Sequence, residues 1–160
     1  MLKGLKNPRA KRKVPLILGI WKYRILKLFM KELSIKTTKQ EEFIDITREV
    51  ERVVSESKIE KGICYLYTPH TTSGITINEN ADPDVLRDIK TGLDSVVPDR
   101  GDWLHSEGNS PAHIKSSLIG PTLFVFVEGG TLALGTWQGI YFCEFDGPRT
   151  RKLWVKVVKD

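Results

Sequence analysis

Three histidines and the polar residues around them are the part of this 160-residue sequence best suited to chemistry. His70 lies in the run PHTTS, and His105 and His113 bracket the segment HSEGNSPAH. Both runs are rich in turn-forming and hydroxyl residues, so they predict loops at strand ends, where binding and catalytic groups concentrate. Three imidazole nitrogens with an open coordination position would suit Zn²⁺. The competing interpretation is three unrelated surface or hydrogen-bonding histidines.

Carboxylates and cations near the histidines supply further candidates. Glu79 and Glu107 could act as general acid or base, and each could equally be a solvated loop charge. Arg149 and Arg151 follow a turn and could present planar guanidinium groups to phosphate, or could guard an exposed edge strand. The sequence lacks GxxxxGK[ST], GxGxxG, HExxH and GxSxG. Chemistry that depends on those motifs therefore has no support.

The two cysteines lie in apolar runs, Cys64 in GICYLY and Cys143 in GIYFCEF. This context predicts two small buried hydrophobic residues rather than a zinc site or a disulfide framework, and it indicates a reducing, cytoplasmic setting. A disulfide between the two strands stays open as the alternative.

The first 31 residues differ from the rest in charge. They carry ten Lys or Arg and no Asp or Glu, so the remainder has 25 − 10 = 15 basic against 20 acidic residues. We interpret residues 1–30 as a basic extension outside the domain, with Met30 as an alternative start and residues 1–29 dispensable. A membrane-surface helix and a nucleic-acid arm are the competing interpretations. Lysine and arginine interrupt its apolar run too early for a membrane span, and the acidic remainder argues against nucleic acid as a partner.

The elements that must position the histidines alternate between strand and helix. Two short strands around residues 33–37 and 43–46 predict a hairpin through Thr38 to Glu41, and the apolar stripe of residues 50–57 predicts an amphipathic helix. GICYLYTP and GITINEN predict strands, whereas Asp82-Pro83 and Ser110-Pro111 each predict a capped helix start. Four later runs predict strands: TLFVFVEG, TLALGTW, GIYFCEF and KLWVKVV. The fold class is α+β, a mainly antiparallel sandwich-like domain with two to three short helices over residues 31–160.

Three stretches resemble the YjbQ family of small uncharacterised proteins: HTTSGITINENADPDVLRDI, HSEGNSPAHIKSS and GTWQGIYFCEFDGPR. The similarity covers roughly Glu32 to Val158 and omits the basic extension. The resemblance implies a sandwich-like α+β fold, a homotrimer and a single site for a small-molecule substrate. The positions that it implies for that site are His70, Asn78, Glu79, Asn80, Asp82, His105, Glu107, His113, Ser116 and Gln138.

The resemblance also implies an activity, because some members carry a secondary thiamine-phosphate synthase activity that joins a pyrimidine diphosphate to a thiazole phosphate. Displacing pyrophosphate requires cations, for which Lys115, Arg149, Arg151 and a possible Mg²⁺ are candidates. We predict catalytic roles for Glu79, Glu107 and Asp82, and metal ligation by the three histidines. The predicted substrate-binding residues are Asn78, Asn80, Ser116, Gln138, Lys115 and Arg149. The alternative is a non-enzymatic trimeric module whose polar cluster is structural, and the run Glu144-Phe145-Asp146 departs from a Glu-His-Arg run in some members.

Overall fold

The computed structural model describes residues 28–160, which contain eight strands and three helices. The strands are β1 (Leu28–Lys36), β2 (Glu42–Asp45), β3 (Lys61–Tyr67), β4 (Ser73–Glu79), β5 (Thr122–Glu128), β6 (Thr131–Leu132), β7 (Gln138–Glu144) and β8 (Thr150–Lys159). The helices are α1 (Thr47–Ser57), α2 (Pro83–Val96) and α3 (Ser110–Ile119).

The strands form two antiparallel sheets. The larger has the order β1-β8-β3-β5-β6, and the smaller has the order β2-β7-β4. Inward-facing apolar residues of both sheets and of α1, such as Val155, Phe142 and Val53, share one hydrophobic core. Burial of these apolar faces is the main driving force for such a layered arrangement. The α+β class predicted from the sequence is confirmed.

The predicted hairpin between the first two strands is wrong. β1 pairs with β8 along its whole length, from Leu28 opposite Val158 to Lys36 opposite Thr150. β2 instead pairs with β7 in the other sheet. The segment between them therefore crosses from one sheet to the other, and Glu42 fixes its turn by accepting hydrogen bonds from the backbone N–H and the hydroxyl of Thr38.

The helices α2 and α3 begin at or beside the predicted prolines, but the capping residue of α3 differs from the prediction. Asp82 caps α2 by accepting the backbone N–H of Asp84 at 2.8 Å, and Pro83 opens the helix. In α3 the residue at the cap position is Asn109 rather than Ser110, and its side chain does not bond to the helix. The apolar side chains of α2, which include Leu86 and Leu93, are half-buried.

Residues at the amino-terminal boundary belong to the larger sheet. β1 begins at Leu28, and Phe29 packs against the main core opposite Val157. Three residues of the predicted extension, 28–30, are thus part of this strand. The interpretations of residues 1–27 lie outside the described residues.

Both cysteines of the sequence are free and buried. Cys64 lies on β3 in the larger sheet, and Cys143 lies on β7 in the smaller one. The prediction of two small buried residues is confirmed, and the alternative disulfide is not formed. None of the helices within residues 28–160 has the length and hydropathy that a bilayer crossing would need.

The outer surface of the larger sheet is exposed and aromatic. Five side chains, 36–57% exposed, form a patch called here the aromatic face: Tyr65, Tyr67, Phe124, Phe126 and Trp154. The rings of Tyr67 and Trp154 have centroids 5.5 Å apart, and those of Phe124 and Phe126 are 5.8 Å apart. Contiguous exposed apolar patches of this kind mark contact surfaces.

Candidate functional site

His113 lies between two neighbouring cavities at one end of the sandwich. The first, of about 390 Å³, is shared with His70 and Thr71. The second, of about 380 Å³, is shared with His105 and also reaches Thr71. The structure thus brings all three predicted histidines to one end of the molecule, and we call them the histidine cluster.

The position of His113 is fixed by the packing of α3 on β4. Ser116, one turn further along the helix, is buried and donates its hydroxyl to the Thr71 carbonyl at 2.6 Å. A Cβ atom at Gly74 would lie only 2.7 Å from the Ile119 side chain, so only glycine lets the strand approach the helix this closely. Ser116, predicted to bind substrate, therefore joins α3 to the PHTTS turn.

His105 lies on a loop, and its support is weaker. The Gly108 N–H donates to the His105 carbonyl at 3.0 Å, and Gly108 has a φ of 75°, which glycine adopts without strain. The His105 Nε2 atom is 3.8 Å from a Glu107 carboxylate oxygen. The rings of His105 and His113 meet edge to face with centroids 5.4 Å apart. Two imidazoles thus face one cavity, with a carboxylate beside the first.

His70 is engaged by the backbone of β8. Its Nε2 atom accepts the N–H of Lys152 at 2.8 Å. Burial and the nearby Arg151 charge lower the pKa of His70 below its ordinary value, which favours the neutral ring that this hydrogen bond requires. Within residues 28–160, no three His, Cys, Asp or Glu side chains are grouped to hold a metal ion. Zn²⁺ ligation by the three histidines stays a prediction, and His70 could take part only through its other ring nitrogen, because Nε2 is engaged by the Lys152 N–H.

Two arginines reach the second cavity, each already paired with a carboxylate. Arg151 is buried, and its guanidinium bonds to both oxygens of the fully buried Glu144 and to the Thr72 hydroxyl. Arg149 is half-exposed and contacts Asp146 at 2.7 Å. The predicted phosphate-facing arginines are therefore present at the cavity, but their charges are largely balanced.

Asn109 lines the same cavity and has one acceptor atom without a hydrogen-bond partner within residues 28–160. Its Nδ2 donates to Asp146 at 3.2 Å, whereas its Oδ1 is buried and has no hydrogen-bond partner among the described residues. A buried acceptor without a partner costs about 1–3 kcal/mol. An N–H or O–H group of a bound molecule would satisfy it.

Lys115, predicted to bind substrate, points away from the cavities. Its side chain is fully buried, and the ammonium contacts Glu41 and Asp94. Burial opposes the charged form, but the bonds to Asp94 and Glu41 outweigh it and the pKa of Lys115 is raised. Lys90 contacts the same two carboxylates, so this charge cluster ties α3 to α2 and to the turn before β2. Lys115 is a structural cation.

The other predicted site residues lie at the opposite end of β4. Asn78, Glu79 and Gln138 lie where β4 and β7 pair, and they are called here the amide cluster. The seven residues of β4 separate them from the histidine cluster by roughly 20 Å, since a strand rises about 3.3 Å per residue. The structure therefore does not bring the two predicted halves of the site together within one chain.

Asn80 and Asp82, which follow the amide cluster, have structural partners. Asn80 donates to Asp45 at 2.9 Å and accepts the Tyr141 hydroxyl at 2.7 Å. The carboxylate of Asp82 caps α2. By contrast, Glu79 is half-buried, and its carboxylate has no partner within the described part of the chain. Glu79 is thus the carboxylate of this region that remains available for chemistry.

The sequence did not identify Thr72, Asn109, Glu144 and Asp146 as site residues. The first two adjoin histidines in the runs PHTTS and HSEGNSPAH, so proximity was an available signal. Glu144 follows an apolar strand run, and no local pattern shows that a fully buried carboxylate there must pair with Arg151.

The family model described as "UPF0047 protein YjbQ-like" matches residues 31–160. UPF0047 protein YugU of Bacillus subtilis is 57% identical over 134 residues, which is 81% of this chain and 98% of that protein. A UPF0047 protein of Methanocaldococcus jannaschii is 51% identical, with 85% and 98% covered.

Solved structures agree with these relatives. A conserved protein of the same family from Clostridium acetobutylicum has a TM-score of 0.78 at 57% identity, covering 79% of this chain and 98% of that one. A YbjQ-like protein of unknown function from Sulfolobus solfataricus has a TM-score of 0.81 at 32% identity, covering 84% and 99%. The chain therefore belongs to the YjbQ-like UPF0047 family.

Proposed function

We propose that the protein is an enzyme that performs acid–base chemistry on a small substrate with an anionic group, bound at the histidine cluster. The observation that carries the proposal is one cavity of about 380 Å³ lined by two imidazoles and two guanidinium groups. Cavities of roughly 300–1,000 Å³ hold small molecules. Imidazole is the side chain whose ordinary pKa suits proton transfer near neutral pH.

Three residues that line the cavity each have their own proposed role. His113, fixed by α3, is the proposed proton acceptor and donor, and His105 is its partner across the cavity. Arg149 binds the anionic group with the N–H groups that Asp146 leaves free. These roles use only side chains of this chain.

The charge balance favours a substrate with one anionic group over a diphosphate. Arg151 is neutralised by Glu144, Arg149 is paired with Asp146, and Lys115 is absent from the cavity. A departing pyrophosphate needs cations that are free to stabilise its developing charge. Thiamine-phosphate synthase activity is kept as the finer proposal only with Mg²⁺ brought by the diphosphate itself, because the cavity lacks free cations for the departing pyrophosphate.

Binding of inorganic phosphate, followed by calorimetry and by the NMR shifts of the histidine ring protons, tests the proposal. We expect the wild type to bind with shifts at His105 and His113, and His113→Ala and Arg149→Gln to bind at least about tenfold more weakly, a loss near 1.4 kcal/mol. Arg52→Gln, an exposed position on α1 away from the cavity and the aromatic face, is the matched control and should bind normally. Equal affinity in all variants would show that the anion binds elsewhere.

Product formation tests the finer reaction. Wild-type protein is incubated with Mg²⁺, a pyrimidine diphosphate and a thiazole phosphate, and pyrophosphate release is measured. Turnover that disappears in His113→Ala would support this activity at the histidine cluster. Turnover that is unchanged in His113→Ala would exclude the histidine as its acid–base group.

We further propose that the protein assembles as the predicted homotrimer. The support is the aromatic face, which exposes five large side chains to solvent in a single chain. Closed symmetric assemblies commonly cover such surfaces. Light scattering at micromolar concentration should give three times the chain mass. A monomer mass would support neither the trimer nor the alternative of a trimeric non-enzymatic module.

A further inference from the structure

The ring of His70 is fixed by a backbone N–H group that lies beyond the end of a strand. β3 ends at Tyr67, which is paired with Trp154 of β8. Lys152 lies two residues before Trp154 along β8, so no residue of β3 is paired with it. The Nε2 atom of His70 accepts the Lys152 N–H at 2.8 Å instead. The imidazole thus supplies the acceptor that the next residue of β3 would otherwise provide.

This hydrogen bond determines which ring nitrogen of His70 carries the proton. A neutral imidazole has one N–H group and one acceptor nitrogen. Because Nε2 is the acceptor, the proton of the neutral ring lies on Nδ1. Within residues 28–160, the Nδ1 atom has no hydrogen-bond partner, and it is not enclosed by protein atoms. The Nδ1–H group is therefore available to a molecule in the cavity of about 390 Å³ that His70 lines.

Most hydroxyl groups in the lining of this cavity are already engaged. Hydrogen bonds within the chain involve the hydroxyls of Thr68, Ser73, Ser116 and Ser117. The other polar side chains of the lining are Tyr67, Thr71, His70 and His113. A hydroxyl can turn either to donate or to accept, whereas the Nδ1–H of His70 can only donate, in a direction that the ring fixes. The cavity thus contains an uncharged donor of fixed direction.

The bond to Lys152 also restricts the kind of acceptor. An imidazolium carries hydrogens on both nitrogens, so its Nε2–H would face the Lys152 N–H and the bond would be lost. An anionic oxygen beside the ring would stabilise the imidazolium. An uncharged oxygen accepts the Nδ1–H without changing the charge of the ring. A carbonyl oxygen, which accepts and cannot donate, is therefore the acceptor that suits His70.

His113 connects this cavity to the proposed anion site. His113 and Thr71 line both cavities, whereas His70 lines the first and Arg149 lines the second. A small molecule that lies against His113 can therefore extend into both cavities. One end of it would meet an uncharged donor, and the other end would meet a guanidinium group.

We propose that His70 is a substrate-binding residue, which donates its Nδ1–H to a carbonyl oxygen of the molecule whose anionic group is bound by Arg149. The substrate class is a small compound that carries both a carbonyl and an anionic group, with His113 beside the atoms that join them. Zn²⁺ ligation through Nδ1 would require that atom to lose its proton, so the donor and ligand roles of His70 exclude each other. The anionic group rests on the proposed function, whereas the donor role rests on the bond to Lys152.

Nitrogen-15 NMR of the full-length chain measures the proton positions directly. The sequence has three histidines, and the spectrum of His70→Gln identifies the His70 signals by their loss. At about pH 8, above the ordinary pKa of histidine, we expect a proton on Nδ1 and none on Nε2. A proton on Nε2, or an Nδ1 atom without one, would overturn the proposal.

Two phosphonates of nearly the same size test the acceptor. Acetonylphosphonate has a carbonyl group where propylphosphonate has a methylene group, and calorimetry measures the affinity of each. The wild type should bind acetonylphosphonate at least about fivefold more tightly, a difference near 1 kcal/mol. His70→Leu, which has no donor, should bind the two equally. His70→Gln, whose amide can both accept and donate, should keep most of the preference.

Thr71→Val is the matched control, because it removes a hydroxyl group from the same cavity and should leave the carbonyl preference unchanged. A preference that is lost in Thr71→Val and kept in His70→Leu would assign the carbonyl to the wrong residue and overturn the proposal. The NMR measurement does not depend on His70→Leu, so the proposal stays testable if that variant does not fold.

The outcomes also separate this proposal from the proposed function. Equal binding of the two phosphonates by the wild type would overturn the donor role and leave the anion site intact. A carbonyl preference that depends on His70, with affinities unchanged in His113→Ala and Arg149→Gln, would contradict the proposed function alone. A wild type that binds neither phosphonate would overturn both.

Discussion

Replacing Glu144 by Gln is expected to destabilise the folded protein strongly, although the two side chains have nearly the same size. The fully buried Glu144 carboxylate accepts hydrogen bonds from the Arg151 guanidinium, the Thr37 hydroxyl and the backbone N–H groups of Phe145 and Asp146. The substitution removes the negative charge and leaves the Arg151 cation buried without compensation. It also weakens the bonds that hold the turn between β7 and β8.

Removing one partner of a buried ion pair costs about 3–5 kcal/mol. For a domain of this size, this corresponds to a fall in Tm of roughly 10–20 °C. The matched control is Arg149→Gln, two residues from Arg151, because its pair with Asp146 is half-exposed. Such exposed pairs contribute about 0–1 kcal/mol.

The assay is chemical denaturation at a fixed protein concentration, supported by a double-mutant cycle of Glu144→Gln with Arg151→Gln. Because the double variant buries no uncompensated charge, it should be at least about 1 kcal/mol more stable than the sum of the single losses predicts. If Glu144→Gln loses no more than Arg149→Gln, or if the cycle shows no coupling, the argument that Glu144 compensates the Arg151 charge is wrong.

Three further perturbations have definite expected outcomes. Lys115→Met should lower the free energy of unfolding by about 3 kcal/mol without altering phosphate affinity. Lys90→Met, at a half-exposed position, should lower it by less than about 1 kcal/mol. A Lys115 variant that is stable but binds phosphate weakly would contradict the assignment of Lys115 as a structural cation. The pKa of His70 is lowered in the folded protein, so the unfolded chain binds this proton more tightly than the folded chain does. The stability that His70 contributes is therefore present above about pH 6.5, the ordinary pKa of histidine. It is lost as the pH falls below that value. The stability difference between wild type and His70→Ala, measured at pH 8 and pH 5, should therefore shrink at low pH, and a constant difference would count against the bond to the β8 backbone. A chain that begins at residue 28 should keep the Tm of the full chain. A chain that begins at residue 30 should lose about 1–2 kcal/mol of unfolding free energy, because Phe29 packs on the core. Equal stability of the two chains would show that the packing of Phe29 contributes nothing.

The fold class and the individual elements could be predicted because they depend on local periodicity. The apolar stripe of α1 and the Asp82 cap of α2 are both signals within a few residues, and both are confirmed. Strand pairing depends on partners far along the chain instead. β1 pairs with β8, more than a hundred residues later, and nothing in the turn at Thr38 encodes that choice.

The parts of the candidate site that depend on local signals could likewise be predicted from the sequence. His105 and His113 adjoin one helix start, so the sequence placed them together. The separation of His70 from Glu79 could have been predicted, because the intervening GITINEN run already indicated an extended strand that holds its ends apart. The burial of Lys115 could not, because its two carboxylate partners come from segments that only the tertiary fold brings near.

The two facing imidazoles are held by supports of very different kinds. His113 belongs to a helix anchored by Ser116 and by the close approach at Gly74, whereas His105 belongs to a loop that leaves the core between Val97 and Asn109. Insertions or exchanges within that loop would move His105 without disturbing any strand pairing. Across related proteins, the shape of the cavity can therefore diverge through one loop while the helix keeps His113 in a constant position. A single scaffold could therefore change what its cavity accommodates at little cost to folding.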